Sequence, residues 1–144
     1  MAAEGQFFLS SQRKTCLALK SGTFFAIIAC DSSELGEFME AVKRISDHVG
    51  EQSEKFFKTT LFQSKNLLLG INCLEPGQTQ KPHDHKDQDK FYFVVEGNGS
   101  FWLGNEKIDA AAGEVIWAPA GIVHGVANES TMRLTLLVGI APAP

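Results

Sequence analysis

The stretch of sequence that decides the fold runs from Gly77 to Asn128 and carries three histidines. It opens with Gly77-Gln-Thr-Gln-Lys-Pro-His83-Asp-His85 and closes with Gly113-Glu-Val-Ile-Trp-Ala-Pro119-Ala-Gly121-Ile-Val-His124-Gly-Val-Ala-Asn128. His83 and His85 are two positions apart, and side chains at that spacing on an extended segment point to the same face. His124, from a distant strand, can complete a facial set of ligands on that face. Three imidazoles on one wall of a β domain predict a metal centre.

Short strands and turn residues alternate from residue 55 onward. Pro76-Gly77, Gly97-Asn98-Gly99 and Pro119-Ala-Gly121 are turn signals. Regularly spaced short strands are typical of an all-β sandwich or barrel. We therefore predict a mostly β domain with strands at Lys58–Gln63, Asn66–Leu74, Lys90–Val95, Ser100–Leu103, Lys107–Asp109, Glu114–Ala118, His124–Ala127 and Arg133–Ile140.

Residues 1–54 have a different pattern and form a predicted N-terminal extension of the barrel at residues 55–144. The apolar run 24–29 predicts a buried strand. Asp31 and Glu34 have the spacing of a capping box, and Gly50 stands where a helix would end. Between them, apolar residues recur at helical spacing: Leu35, Phe38, Met39, Val42, Ile45 and Val49. We expect this strand and helix to pack on the barrel within one compact domain.

Composition narrows the class of protein. A chain of 144 residues is long enough for one hydrophobic core. The net charge of −4, with no basic cluster, argues against a nucleic-acid partner. No apolar run is long enough for a membrane span, and residues 1–9 lack the features of a signal peptide. Cys16, Cys30 and Cys73 contain no C-x-x-C motif, which favours reduced cysteines in a cytoplasmic protein.

The histidine-bearing segments resemble the two motifs of the cupin superfamily, over roughly residues 56–142. The family's first motif is G-x5-H-x-H-x3-4-E-x6-G, and its second is G-x5-P-x-G-x2-H-x3-N. Every fixed position except the glutamate is matched, by Gly77, His83, His85 and Gly97 in the first motif and by Gly113, Pro119, Gly121, His124 and Asn128 in the second. The resemblance implies a cupin-type jelly-roll barrel and, by analogy, a homodimer.

Lys90 stands where the cupin motif has a glutamate ligand. An ammonium would repel a divalent ion, and a nearby ion would lower the lysine pKa. Three completions of the metal shell remain open. Three histidines with water come first, Gln88 as a fourth ligand comes second because its strand parity matches, and Asp89 comes third because it needs a bulge to turn inward. A site that binds no metal is the remaining alternative.

A three-histidine site resembles those cupins that bind ferrous iron and activate dioxygen, including thiol and diketone dioxygenases. The resemblance implies an oxygenase-type enzyme acting on a small organic molecule, with Fe2+ favoured over Mn2+, Ni2+ or Zn2+. Tyr92 or Lys90 would orient the substrate, and few other charged groups are expected in the cavity, which favours a rather apolar ligand. Because one fold hosts many functions, a non-catalytic binding or sensor protein and a metal-free isomerase or epimerase using Tyr92 remain alternatives.

Overall fold

The structure, a computed structural model, describes residues 41–144. The strand predicted at residues 24–29 and the first half of the predicted helix lie outside the described residues. The second half of that helix is wrong. Only one turn of 3-10 helix forms, at Ile45–His48, and the residues on either side of it, Arg44 and Val49, are extended.

Tertiary packing explains why the helical pattern fails between residues 41 and 50. Val42 is 79% exposed, so the predicted apolar stripe is not buried as a unit. Ile45 packs instead, as a single residue, against the cluster of Leu61, Ile71 and Cys73. Gly50 follows Val49, which is extended, so it does not end a helix. A Cβ at Gly50 would lie 2.8 Å from the ring of Phe57, so a larger residue there would require that ring to move.

Nine strands form among the described residues, and all their pairings are antiparallel. The strands are β1 (Phe57–Gln63), β2 (Leu68–Leu74), β3 (Thr79–His83), β4 (Asp89–Glu96), β5 (Asn98–Leu103), β6 (Glu106–Ala111), β7 (Val115–Ala118), β8 (His124–Ala127) and β9 (Leu134–Ala141). One sheet has the order β1-β2-β9-β4-β7 and the other the order β3-β8-β5-β6. The prediction of a mostly β domain is confirmed.

The main hydrophobic core draws side chains from both sheets. Tyr92 and Val94 of β4 and Leu136 of β9 come from the five-stranded sheet, whereas Phe101 of β5 and Val126 of β8 come from the other. All five are fully buried. Such burial of apolar surface contributes about 1.5–3 kcal/mol for each large aliphatic or aromatic side chain, so this shared layer holds the two sheets together.

The sequence pattern did not predict β3, although this strand carries His83. Its sequence, Thr79-Gln-Lys-Pro-His83, contains no apolar residue except a proline, and proline is unfavourable inside a sheet. The strand forms through its pairing with β8, which is its one neighbour because β3 lies at the edge of its sheet. An edge strand tolerates Pro82, whose missing N–H interrupts no ladder on the open side.

Two residues of the family motifs, Gly97 and Asn128, lie in turns at the ends of strands. Gly97, between β4 and β5, has a φ of +81°, and a Cβ at this position would collide with the carbonyl oxygen of Arg133. Asn128 follows β8 and is fully buried; its amide nitrogen donates to the carbonyls of Leu74 (2.8 Å) and Met132 (2.7 Å). Asn128 therefore ties the loop after β8 to the end of β2.

Within residues 41–144, no helix is both long enough and apolar enough to cross a membrane.

Candidate metal centre

The three motif histidines come together at the end of one strand ladder. His83 is the last residue of β3, His124 is the first residue of β8, and the two are directly paired across the ladder. His85 follows two residues after β3. The ring centroids lie 4.6 Å apart for His83 and His124, 5.1 Å for His83 and His85, and 5.4 Å for His85 and His124. One ring nitrogen from each residue lies within 4.8 Å of the other two.

Backbone carbonyls orient two of these rings. The Nδ1 of His83 lies 2.9 Å from the carbonyl oxygen of Lys81, and the Nδ1 of His124 lies 2.8 Å from that of Ile122. A carbonyl can only accept, so Nδ1 carries the proton in each ring and Nε2 keeps its lone pair. Metal-binding histidines are commonly fixed in this way by their second ring nitrogen.

His124 shows that the site suits a metal ion. Its side chain is 1% exposed, and its Nε2 is buried without a hydrogen-bond partner among the described residues. A buried polar atom without a partner is costly and uncommon in folded proteins. An ion held by three imidazoles would satisfy it, and imidazole is a suitable ligand for iron, nickel, copper and zinc.

Protonation of His124 competes weakly with metal binding. Burial lowers the pKa of His124 to about 4, although its hydrogen bond to the Ile122 carbonyl opposes this shift. Burial, and then the charge of Lys90, also lowers the pKa of His85. His124 is therefore neutral at pH 7, which is the form that binds a metal.

Two hydrogen bonds, each donated by a backbone N–H, hold the loops of the site together. The N–H of Gly121 donates to the carbonyl oxygen of His85 at 2.8 Å, which joins the loop after β3 to the turn before β8. The carboxylate of Asp89, at the start of β4, accepts from the N–H of Ala120 in the same turn at 2.9 Å. Asp89, considered above as a third-ranked ligand, thus joins β4 to the segment that leads into His124.

Gln88 makes its hydrogen bond with the C-terminal segment that follows β9. Its amide nitrogen donates to the carbonyl oxygen of Pro142 at 2.8 Å, and it does not line the cavity beside the histidines. Its role as a fourth ligand stays a prediction.

A cavity of about 420 Å³ opens beside His83 and His85. Its polar wall includes Lys90, as predicted, and three residues that the sequence analysis missed: Lys58, Asn72 and Gln80. Asn72 could have been found, because it is the only polar side chain from Leu67 to Leu74. Gln80 lies on the missed strand. The apolar part of the wall consists of Phe56, Leu68, Val138 and Ile140.

Lys90 is buried in the cavity wall, with 3% of its surface exposed. Its Nζ lies 4.8 Å from the centroid of the Tyr92 ring, a favourable cation–π distance. The Nζ atom of Lys90 forms no hydrogen bond or ion pair with any of residues 41–144. Burial, and then repulsion by Lys58, lowers the pKa of Lys90 to about 8.

Tyr92 lies behind the cavity wall. It is fully buried, its ring centroid is 6.2 Å from that of His124, and its hydroxyl donates to the Oε1 of Gln80 at 3.1 Å. Burial raises the pKa of its hydroxyl, so the phenol stays protonated. Tyr92 therefore reaches the cavity through Gln80, while Lys90 lines it directly.

Comparison with known proteins identifies the family. The family model described as the cupin domain matches residues 70–140, a range that contains all three histidines. The chain belongs to the cupin superfamily. A solved structure, TT1209 from Thermus thermophilus, is 40% identical with a TM-score of 0.69; the match covers 72% of this chain and 98% of that one.

Two further proteins share sequence or fold with part of this chain. A functionally uncharacterised protein of Streptomyces coelicolor is 39% identical over 64 residues, which are 43% of this chain and 58% of that protein. The match thus spans little more than half of that relative's length. A Klebsiella pneumoniae structure with a double-stranded β-helix domain is 19% identical with a TM-score of 0.68, covering 71% of this chain and 90% of that one. This last likeness supports the fold alone.

Proposed function

We propose that this cupin is a metal-dependent enzyme of the oxygenase type, acting on a small organic molecule at a centre formed by His83, His85 and His124. The observation that carries the proposal is the buried, unpartnered Nε2 of His124, which belongs to a cluster of ring nitrogens within 4.8 Å of one another. Fe2+ is the favoured ion, with Ni2+ and Zn2+, which imidazole also suits, and Mn2+ as the alternatives.

The number of protein ligands is the reason to favour oxygenase chemistry. The conserved glutamate position of the cupin motif holds Lys90, whose side chain is a cation and cannot bind an ion in its charged form. Three ligands from one face leave adjacent coordination positions open, as in non-haem iron sites that take both substrate and dioxygen. A ferrous ion bound there would supply Lewis acidity and one-electron chemistry.

The surrounding residues have defined tasks in this proposal. Lys90 contacts the substrate from the cavity wall, and Gln80, held by the hydroxyl of Tyr92, offers an amide for hydrogen bonding. The apolar residues Phe56 and Leu68 on one side and Val138 and Ile140 on the other keep bulk water from the bound molecule. Displacing water strengthens every electrostatic contact inside the cavity.

Nitric oxide, a probe for open positions on ferrous iron, tests this function without knowledge of the substrate. Protein loaded with Fe2+ under anaerobic conditions should give a high-spin iron–nitrosyl signal in electron paramagnetic resonance. His124→Ala should lose the signal, while His48→Ala, which changes the one histidine outside the cluster, should keep it. Bound iron that gives no nitrosyl signal would contradict the oxygenase proposal and would leave a non-catalytic binding protein as the better account.

A further inference from the structure

The cavity beside the metal centre is lined by cations and by no acidic side chain. Lys58 and Lys90 both line it, together with His83 and His85, and no aspartate or glutamate belongs to its wall. Pro144 also lines it, but neither lysine forms an ion pair with the carboxylate of Pro144. Within residues 41–144, neither Lys58 nor Lys90 has an acidic partner for its positive charge.

We propose that the cavity binds a small organic anion, with its carboxylate or phosphate group on Lys90 and Lys58 and its apolar body against Val138 and Ile140. The inference rests on the proposed function in that it names the substrate class for the same site. It differs from the expectation of a rather apolar ligand, which took Lys90 as the main inward charge.

The position of Lys90 in its strand is the first support. Burial alternates along β4, so that Lys90, Tyr92 and Val94 all point inward while their neighbours are less buried. Lys90 is paired with Ala118 on one side and Ile140 on the other, in the middle of the sheet. The ladder therefore fixes its side chain towards the cavity, and turning outward would reverse the alternation of the whole strand.

The charge of Lys90 is the second support. A buried charge is tolerated only when it is paired or neutralised. With a pKa of about 8, most Lys90 side chains still carry their proton at pH 7. The Tyr92 ring face offsets part of the cost, but it supplies no hydrogen-bond acceptor. An anionic ligand would supply both the missing charge and the missing acceptor.

The third support is the pairing of Lys90 with a second lysine. The charge of Lys58 on β1 is near enough to lower the pKa of Lys90, so the two cations repel each other when the cavity holds no anion. An anion between them turns this repulsion into two attractions. A metal ion on three neutral histidines adds uncompensated positive charge at the same cavity, which strengthens the preference for an anion.

Size and shape agree with a small molecule. A volume of about 420 Å³ lies in the range of small-molecule sites, which are about 300–1,000 Å³. The apolar walls suit a short aliphatic or aromatic body, and the amides of Asn72 and Gln80 suit one or two further oxygens.

Calorimetric titration of the purified protein, with its metal content measured in the same sample, tests the proposal. The probes are hexanoate, hexyl phosphate and the neutral hexanamide, which have the same apolar body. At least one anionic probe should bind about tenfold more tightly than hexanamide, and the comparison of the two anions decides between carboxylate and phosphate. Lys90→Met should abolish this preference, and Lys58→Met should reduce it.

The matched control is Lys65→Met, which removes an exposed lysine in the turn between β1 and β2 and should keep the preference. Thermal denaturation of each variant checks the fold, and Lys58→Met decides the matter if Lys90→Met does not fold. Equal binding of charged and neutral probes, binding of none of them, or a preference that survives both lysine changes would overturn the proposal. The two lysines should hold the anion with or without a bound metal ion, so this result is independent of the iron–nitrosyl experiment, which tests the metal-dependent function.

Discussion

His83 and His124 face each other across the antiparallel ladder of β3 and β8, with ring centroids 4.6 Å apart. Their Nδ1 atoms contact the carbonyl oxygens of Lys81 and Ile122, each two residues earlier in the chain. The same local arrangement therefore repeats on both strands and leaves both Nε2 atoms free. Both histidines are placed by strand pairing, just beyond a register shift between Gln80 and His83, and strands position a site more precisely than loops do.

Asp89 holds the turn that contacts the backbone of His85, and replacing Asp89 should weaken metal binding. Its carboxylate accepts from the N–H of Ala120, in the turn that also contacts the carbonyl of His85. Asp89→Ala should lower metal affinity by about tenfold, as loss of supporting contacts commonly does. Asp89→Asn keeps an acceptor oxygen and should restore most of the affinity in a metal titration. Asp87→Asn, in the exposed turn before β4, is the control, and equal affinity in Asp89→Ala would refute this role.

Asn128 should be one of the most important single residues for stability. Both hydrogens of its amide group are donated to backbone carbonyls, and its Oδ1 accepts from the N–H and hydroxyl of Ser130. Asn128→Ala leaves the carbonyls of Leu74 and Met132 without this donor in a buried place. The free energy of unfolding should fall by about 2–4 kcal/mol in a denaturant titration. The exposed Asn66→Ala should change it by less than about 0.5 kcal/mol, and a similar loss in both would contradict the assignment.

Lys90 should make the protein more stable as the pH rises above its pKa of about 8. Between this value and about 10.4, the unfolded lysine binds a proton that the folded one has released. Unfolding then takes up protons, so stability rises with pH in this window. The groups around Lys90 are Lys58 on β1, Tyr92 on its own strand and the histidines of the site; the buried Tyr92 has a raised pKa and opposes the rise only above about pH 10.

Chemical denaturation at pH 7, 8, 9 and 10 measures this effect. The difference in unfolding free energy between the wild-type protein and Lys90→Met should change by at least about 1 kcal/mol across the series, in favour of the wild type. The other titrating groups are common to both proteins, and the two whose pKa Lys90 lowers, His85 and His124, titrate below this pH range. A difference that stays constant with pH would show that Lys90 is not destabilised by its surroundings.

Lys90→Glu restores the residue type of the family motif and should tighten metal binding. A carboxylate at this inward position adds an anionic oxygen ligand to the three histidines. Gln88→Ala should leave the affinity nearly unchanged, because the Gln88 amide contacts Pro142. Titration with Fe2+ and Mn2+ separates the two positions. Weaker binding in Gln88→Ala by about tenfold would instead support Gln88 as the fourth ligand.

Most of the barrel could be predicted from the sequence because its signals are local. Glycines and prolines mark the turns, and β4 contains the continuous apolar run 91–95 that is typical of a buried strand. The histidine cluster could also be predicted, since the family motif specifies its members residue by residue. β3 could not, because its polar sequence forms a strand only through its pairing with β8.

Two errors arose where tertiary contacts override sequence patterns. Apolar residues from Leu35 to Val49 recur at helical spacing, yet Ile45 packs alone on the cluster around Ile71 and only one 3-10 turn forms among the described residues. The cavity's charge was underestimated because Lys58 looks like an ordinary exposed strand residue, and only the folded barrel shows that it lines the same space as Lys90.

The most direct test of the metal centre is the metal content of the protein purified without a metal-affinity column. Elemental analysis should find close to one transition-metal ion per chain in the wild type and in His48→Ala. His83→Ala and His124→Ala should each lose the ion and melt at a lower temperature, because binding to the folded state adds stability. Full metal retention in both variants, or a wild-type protein that neither carries nor takes up a metal ion, would contradict the three-histidine centre.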